Sequence, residues 1–270
     1  MGDINARFVG SIPEHYDRYL GPLLFTPFAK DLVARLPHLT TGSILEIACG
    51  TGIVTSHLRM QLPAGVAIVA TDLNEPMLAY ASTTRQLGAG VTWRPADAQA
   101  LPFPDAFFEA VVCQFGLMFV PDRATALREV RRVLQPGGTF AFNVWAGFPH
   151  NPIGRLADQV ISGFFPSDPP TFYRIPFSLD DEPDLRRMLA ASRLEVTLAE
   201  RVTLEASSPS AEDVAKGLVL GNPVHLAIQE RGTVPPAHIV QALTQALAAV
   251  GGSAPFSSLM CALVLVARAV

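Results

Sequence analysis

The chain has 270 residues, of which 49% are apolar and 16% charged, with a formal net charge of −4. That composition describes a globular protein with a large core; it excludes a disordered chain and the basic footprint of a DNA- or RNA-binding protein. Three cysteines far apart in sequence, Cys49, Cys113 and Cys261, give neither a disulfide framework nor the spacing of a zinc site.

The stretch from Met1 to Asn5 shows no basic-then-apolar leader pattern, and the longest clean apolar run, Leu259 to Ala267, is too short for a bilayer helix. The expectation is a soluble cytoplasmic protein, monomer or homodimer, with no membrane or nucleic-acid partner. Residues 1–40 read as an N-terminal helical cap. Tyr16, Tyr19, Leu20, Leu23 and Leu24 form one apolar stripe, broken at Gly21-Pro22, and Phe28, Leu32, Val33 and Leu36 form a second. Tyr16 and Tyr19 are candidate substrate contacts if this cap closes over a site.

Residues 41–145 alternate strand and helix. Strands are predicted at 43–48, 66–71, 91–94, 110–114 and 139–144. Helices are predicted at 53–62, at 76–86 with Pro76 in the first turn, and at 123–134. The last of these has Asp122 as its N-cap and a stop at Pro136-Gly137-Gly138. Such alternation predicts an α/β fold, a parallel sheet covered by helices on both faces. Arg128, Arg131 and Arg132 fall on the polar side of the third helix and read as a solvated face.

After Trp145 the rhythm breaks. Residues 146–183 are rich in Pro, Phe and Gly, and read as a long irregular insertion of the kind that makes lids and substrate pockets. It holds Phe172, a candidate substrate contact, and His150, the best candidate for a general base. A helix follows Asp180-Asp181, then a strand at 195–205, helices through 210–250, and a closing strand at 259–267. Residues 146–270 are therefore expected to supply a lid, a helical insertion and the last two strands of the same domain.

The chemistry concentrates where the strands end. In open α/β sheets ligands lie beyond the carboxyl ends of the strands. The first strand carries Glu46 and runs into Ala48-Cys49-Gly50-Thr51-Gly52; the second ends at Asp72-Leu73, the third at Asp97-Ala98, the fourth at Gln114-Phe115. Asp72 suits two ribose hydroxyls, and Asp97 an adenine amino group beside Ala98. Leu73 and Met77 offer apolar surface to a base. A dinucleotide loop needs a third glycine, where this chain has Thr55, and a pyrophosphate would be repelled by Glu46. A cationic nucleoside such as S-adenosylmethionine would be welcomed there.

These residues, together with Arg128-Glu129-Val130-Arg131-Arg132-Val133-Leu134-Gln135-Pro136-Gly137-Gly138, resemble the class I S-adenosylmethionine-dependent methyltransferases, in the branch of quinone-biosynthesis and small-molecule enzymes. The resemblance covers residues 40–145 and departs from the family's loop pattern in having Ala48 at the first glycine place. It implies a Rossmann-like sheet of order 3-2-1-4-5-7-6 with strand seven antiparallel. It also implies that Gly50 and Gly52 pass under the methionine part, that Glu46 sits near its ammonium, that Asp72 holds the ribose, and that Asp97 and Ala98 frame the adenine. Gln114 and Phe115 would lie near the reactive methyl.

The activity this implies is methyl transfer to a small hydrophobic or aromatic molecule. The alternatives are a non-catalytic protein that binds the same cofactor and an NAD(P)-dependent oxidoreductase. Asp168-Pro169-Pro170-Thr171-Phe172 resembles the signature of adenine-N6 DNA methyltransferases, but it falls in the insertion and not after strand four. No cluster of acids with Asn or His points to a metal site.

Overall fold

A computed structural model describes residues 4–270, which fold as two compact units. The first unit comprises Ala29–Val144, Leu179–Val202 and Ala262–Val270; the second comprises the chain up to Phe28, Trp145–Ser178 and Thr203–Cys261.

The described residues form seven strands: β1 (Gly42–Ile47), β2 (Val66–Asp72), β3 (Val91–Pro95), β4 (Phe108–Gln114), β5 (Leu134–Trp145), β6 (Leu194–Ser208) and β7 (Phe256–Ala269). They form one sheet in the order β3-β2-β1-β4-β5-β7-β6, with the last strand antiparallel. β1 pairs in parallel with β2 and with β4, β2 with β3, and β4 with β5. The central strands are apolar on both faces because helices cover both: Ile44, Leu45 and Ile47 of β1 and Ala110 to Cys113 of β4 are buried. Strand order reverses between β1 and β4, the place where open α/β sheets bind their ligands.

In the first unit the helix Arg123–Val133 forms as its periodicity predicts. Asp122 accepts the Thr125 N–H at 2.9 Å, and Ala126, Leu127, Val130 and Val133 turn inward. Its end differs from the prediction. β5 starts directly at Leu134, and Pro136-Gly137-Gly138 lies inside that strand rather than before it. The β4–β5 register moves from Phe108↔Leu134 to Ala110↔Thr139, so the intervening residues bulge, and Gly137 takes the positive φ (77°) that the bulge requires.

The second unit departs further. Tyr16–Phe25 is a π-helical segment, with the Thr26 N–H bonding back to Gly21 O. Where an irregular lid was predicted, Pro152–Gly163 is a three-turn helix with Ile153, Ala157 and Ile161 buried. Its Pro152 sits in the first turn, where the missing N–H is harmless; a proline that reads as a breaker is here a helix start. Its aromatic neighbours fill this unit's own core. Phe177 packs on Phe148 (5.0 Å between centroids) and Trp145 (6.3 Å), and the Tyr173 hydroxyl donates to Leu218 O at 2.6 Å. Three helices, Ala211–Leu220, Val224–Arg231 and Pro236–Gly251, complete the unit. Among the described residues no helix is long and apolar enough to cross a membrane.

Candidate active site

The turn after β1 is built from three left-handed residues at alternate positions, Ala48 (φ 54°), Gly50 (φ 56°) and Gly52 (φ 76°). Two of them pay no Cβ penalty; Ala48 does, at a cost of roughly 1 kcal/mol. Space for its methyl comes from Gly116, since a Cβ there would run into Ala48 Cβ and stand 2.9 Å from Cys113 Sγ. Gly52 is closed from behind: a Cβ would meet Trp93 Cη2 at 2.7 Å and Arg85 Cγ at 3.2 Å, and Arg85 Nε donates to Thr51 O at 2.8 Å. Trp93 in turn packs against Cys49, Ala70 and Leu78.

Glu46 lies in the middle of this apparatus and is 1% exposed. Thr55, in the first turn of the helix Ile53–Gln61, donates its hydroxyl to Glu46 Oε2 at 2.6 Å. Burial pushes the Glu46 carboxyl up to about 8, Thr55 opposes that rise, and the neighbouring Asp72 adds to it. A buried acid held this high is one that a bound cation would ionise.

Asp72, at the end of β2, is 7% exposed. Its Oδ2 accepts the Gly50 N–H at 2.8 Å and its Oδ1 the Asn74 N–H at 2.8 Å, so the acid is tied to the glycine turn and to its own loop. Burial raises its pKa, and these backbone donors oppose the shift. The N-cap of the following helix, Glu75–Arg85, is Asn74 and not Asp72. Leu73 is 63% exposed beside this buried acid, whereas Met77 is buried and its Cε lies 3.9 Å from where a Gly50 Cβ would stand.

Ala96 N–H bonds Asp72 O at 3.1 Å, which sets Asp97 and Ala98 directly beyond the Asp72 loop. Asp97 Oδ1 accepts the Gln99 N–H at 2.8 Å, and Gln99 Oε1 accepts the Asp122 N–H at 3.0 Å. The segment that follows is gripped from the helix Arg123–Val133. Glu129 Oε2 accepts the Leu101 N–H, and Arg132 donates to Leu101 O (2.8 Å), Phe103 O (2.7 Å) and Glu129 (2.7 Å). Arg132 is thus an anchor for the loop carrying Asp97, where the sequence read as a solvated face. The only local signal was its three-residue spacing from Glu129.

At the end of β4, Phe115 takes a positive φ (52°) and is buried. Its N–H is shared at 3.1 Å by the carbonyl and the Oδ1 of Asn143, on β5, whose register partner is Gln114. Asn143 carries no sequence signal beyond a polar residue inside an apolar strand. All eleven residues expected to hold the cofactor therefore belong to the first unit, at the ends of four neighbouring strands.

The four residues expected at the acceptor belong to the second unit. Tyr16 is half-buried, stacked on Phe25 at 4.5 Å and edge-on to Phe8 at 5.8 Å; Tyr19 is half-buried, stacked on His15 at 5.9 Å with Arg18 over its ring. Phe172 is buried against Tyr173, and His150 is exposed in a short turn, Phe148–His150. Among the described residues no group of three or more His, Cys, Asp or Glu is placed to hold a metal ion.

Residues 45–142 match the methyltransferase domain family. A ubiquinone/menaquinone biosynthesis C-methyltransferase of Geobacter sulfurreducens is 36% identical over 130 residues, 46% of this chain and 48% of that protein. The chain spans about half the length of the curated relatives it matches. Among solved structures, a methyltransferase-like protein of Bacillus halodurans C-125 superposes with a TM-score of 0.60 at 18% identity, covering 89% of this chain and 97% of the other. Phosphoethanolamine N-methyltransferase 2 of Haemonchus contortus, in complex with S-adenosyl-L-methionine, gives 0.62 at 13% identity, covering 99% and 60%. The last two show the shared fold.

Residues 45–142, which hold these strand ends, thus match a methyltransferase domain by sequence, and the chain shares the fold of solved methyltransferases. The residues present suit S-adenosylmethionine, the ligand bound in the Haemonchus contortus structure. A buried acid raised by desolvation invites a cation, and the glycine turn leaves only Met77 near Gly50.

Proposed function

We propose that this chain transfers the methyl group of S-adenosylmethionine to a small hydrophobic or aromatic acceptor by in-line displacement. The observation that carries this reading is the set of three acids, Glu46, Asp72 and Asp97, fixed by hydrogen bonds at three neighbouring strand ends beside the strand-order switch. In it, Glu46 takes the ammonium, Asp72 the ribose hydroxyls, and Asp97 with Ala98 the adenine edge, while Leu73 and Met77 contact the base. Gly50 and Gly52, with Ala48 before them, let the backbone pass close beneath the methionine part, and Gln114 and Phe115 border the reacting end. The cofactor supplies a methyl group already activated by its sulfonium, so the protein's tasks are alignment and exclusion of water. His150 is the proposed base for an acceptor that holds its proton, and Tyr16, Tyr19 and Phe172 are the proposed acceptor contacts.

Similarity to a ubiquinone/menaquinone C-methyltransferase supports an aromatic, quinol-like acceptor. The role of Thr55 weighs against a nicotinamide enzyme: the place a dinucleotide loop gives to glycine is used to hold Glu46. In this proposal the enzyme acts in the cytoplasm, as a monomer or homodimer, and not on nucleic acid. Calorimetry with S-adenosylhomocysteine tests the cofactor site; Asp72→Ala is expected to weaken binding by about 2 kcal/mol or more, and undiminished binding would overturn the assignment. A methyl-transfer screen over demethylated quinols, phenols, amines and acids tests the reaction; tight cofactor binding with no turnover on any of them would favour a non-catalytic binding protein.

A further inference from the structure

A cleft of about 740 Å³ opens between the helices Ala211–Leu220 and Pro236–Gly251, with His225 also in its lining, entirely within the second unit. Its size falls in the range of small-ligand pockets, roughly 300–1,000 Å³. We propose that this cleft is a binding site for a neutral, largely apolar small molecule bearing a hydroxyl or carbonyl group, separate from the cofactor's site in the first unit.

Helical geometry explains why the cleft stays open. On Pro236–Gly251 the residues that fill the interior are Ile239, Leu243 and Leu247, spaced by four and fully buried. The cleft is lined by the adjoining face of the same helix, where Ala237 and Val240 are too small to close the gap. The opposite wall is the face of Ala211–Leu220 that carries Glu212, Lys216 and Leu220, again spaced by four. With Pro236, the aliphatic groups make most of the surface.

The charges decide the ligand class. Glu212 and Lys216 are paired with each other at 2.7 Å, so the wall offers no unmatched charge to an ion. Burial, and then His15 nearby, holds His225 below its ordinary pKa, so it too meets a ligand uncharged at neutral pH. A charged molecule would lose its water without gaining a counter-ion. The Gln241 and Gln245 amides are left to give orientation by donating to a carbonyl or accepting from a hydroxyl, while the Thr244 hydroxyl is engaged by Val240 O at 2.8 Å.

The test is a fluorescence titration of the full chain with the neutral, carbonyl-bearing probe 6-propionyl-2-(dimethylamino)naphthalene. Saturable binding of one probe per chain is expected, weakened about tenfold or more in both Ala237→Trp and Val240→Trp. The anionic probe 1-anilinonaphthalene-8-sulfonate is expected to bind about tenfold more weakly than the neutral one. Ala237 is exposed and outside the core, so its variant reports on the cleft and not on folding. Absence of saturable binding, equal affinity for the anionic probe, or undiminished binding by both variants would overturn the proposal. S-adenosylhomocysteine calorimetry on the same samples reports the cofactor site alone, so a failure there is seen separately from a failure here.

Discussion

Thr55 reaches back from the first turn of its helix to donate a hydrogen bond to Glu46, in the middle of β1, at 2.6 Å. The bond closes the glycine turn on itself, since the two residues flank it in sequence. It also bears on the protonation of Glu46, because Thr55 is the main influence holding that carboxyl down against its burial.

The first consequence concerns cofactor affinity. With the free-protein pKa at about 8, Glu46 is mostly protonated at pH 7 and must lose its proton to meet an ammonium group. Affinity for S-adenosylhomocysteine is expected to rise with pH and level off above about 8. Calorimetry at pH 7 in buffers of different ionisation heat should register the released proton. Glu46→Gln should bind more weakly and without that pH dependence, and Thr55→Val should move the plateau to higher pH.

Stability of the cofactor-free protein should run the other way. A carboxyl raised from 4.5 to about 8 binds its proton more tightly in the folded state. Between those two values the folded chain holds more protons than the unfolded one, so stability falls as pH rises, by at most about 1.4 kcal/mol per pH unit for one group. Thermal midpoints between pH 5 and 8 should show this decline in the wild type and a flatter profile in Glu46→Gln.

Ala48 and Gly116 form a coupled pair. Gly116→Ala places its methyl against the Ala48 methyl and is expected to destabilise by about 1–3 kcal/mol. Ala48→Gly relieves a left-handed alanine but frees the unfolded chain, for a net gain of about 0.5 kcal/mol. The double variant should recover about 1 kcal/mol of the Gly116→Ala loss. Denaturant unfolding of the four proteins closes the cycle, and strict additivity would contradict the contact.

Arg132 should matter beyond its charge. Its guanidinium joins two carbonyls of the 101–103 segment to the Glu129 carboxylate, an arrangement a lysine ammonium cannot span. Arg132→Ala is expected to cost about 2 kcal/mol, with Arg132→Lys recovering little of it. Because the loop they loosen follows Asp97, both variants are also expected to bind S-adenosylhomocysteine several-fold more weakly by calorimetry.

The sequence by itself determined the elements whose signal is local and periodic. The apolar runs that became β1, β2 and β4, the amphipathic helix ending at Val133 with its Asp122 cap, and the acids at Glu46, Asp72 and Asp97 were all legible. Each is recorded in spacing of a few residues, and in a parallel α/β sheet the strand end is where a ligand-facing residue must be. Tertiary structure alone decided what those acids touch. Thr55 on Glu46, Gly50 on Asp72, and Arg132 on Leu101 join positions nine, 22 and 31 residues apart, and no periodicity encodes such pairs. The same holds for the helix Pro152–Gly163, hidden behind a proline, and for the insertion's aromatics, which fill their own unit's core. The cleft beside Ala237 and Val240 exists only because two helices leave a gap, and a gap has no residues of its own to read.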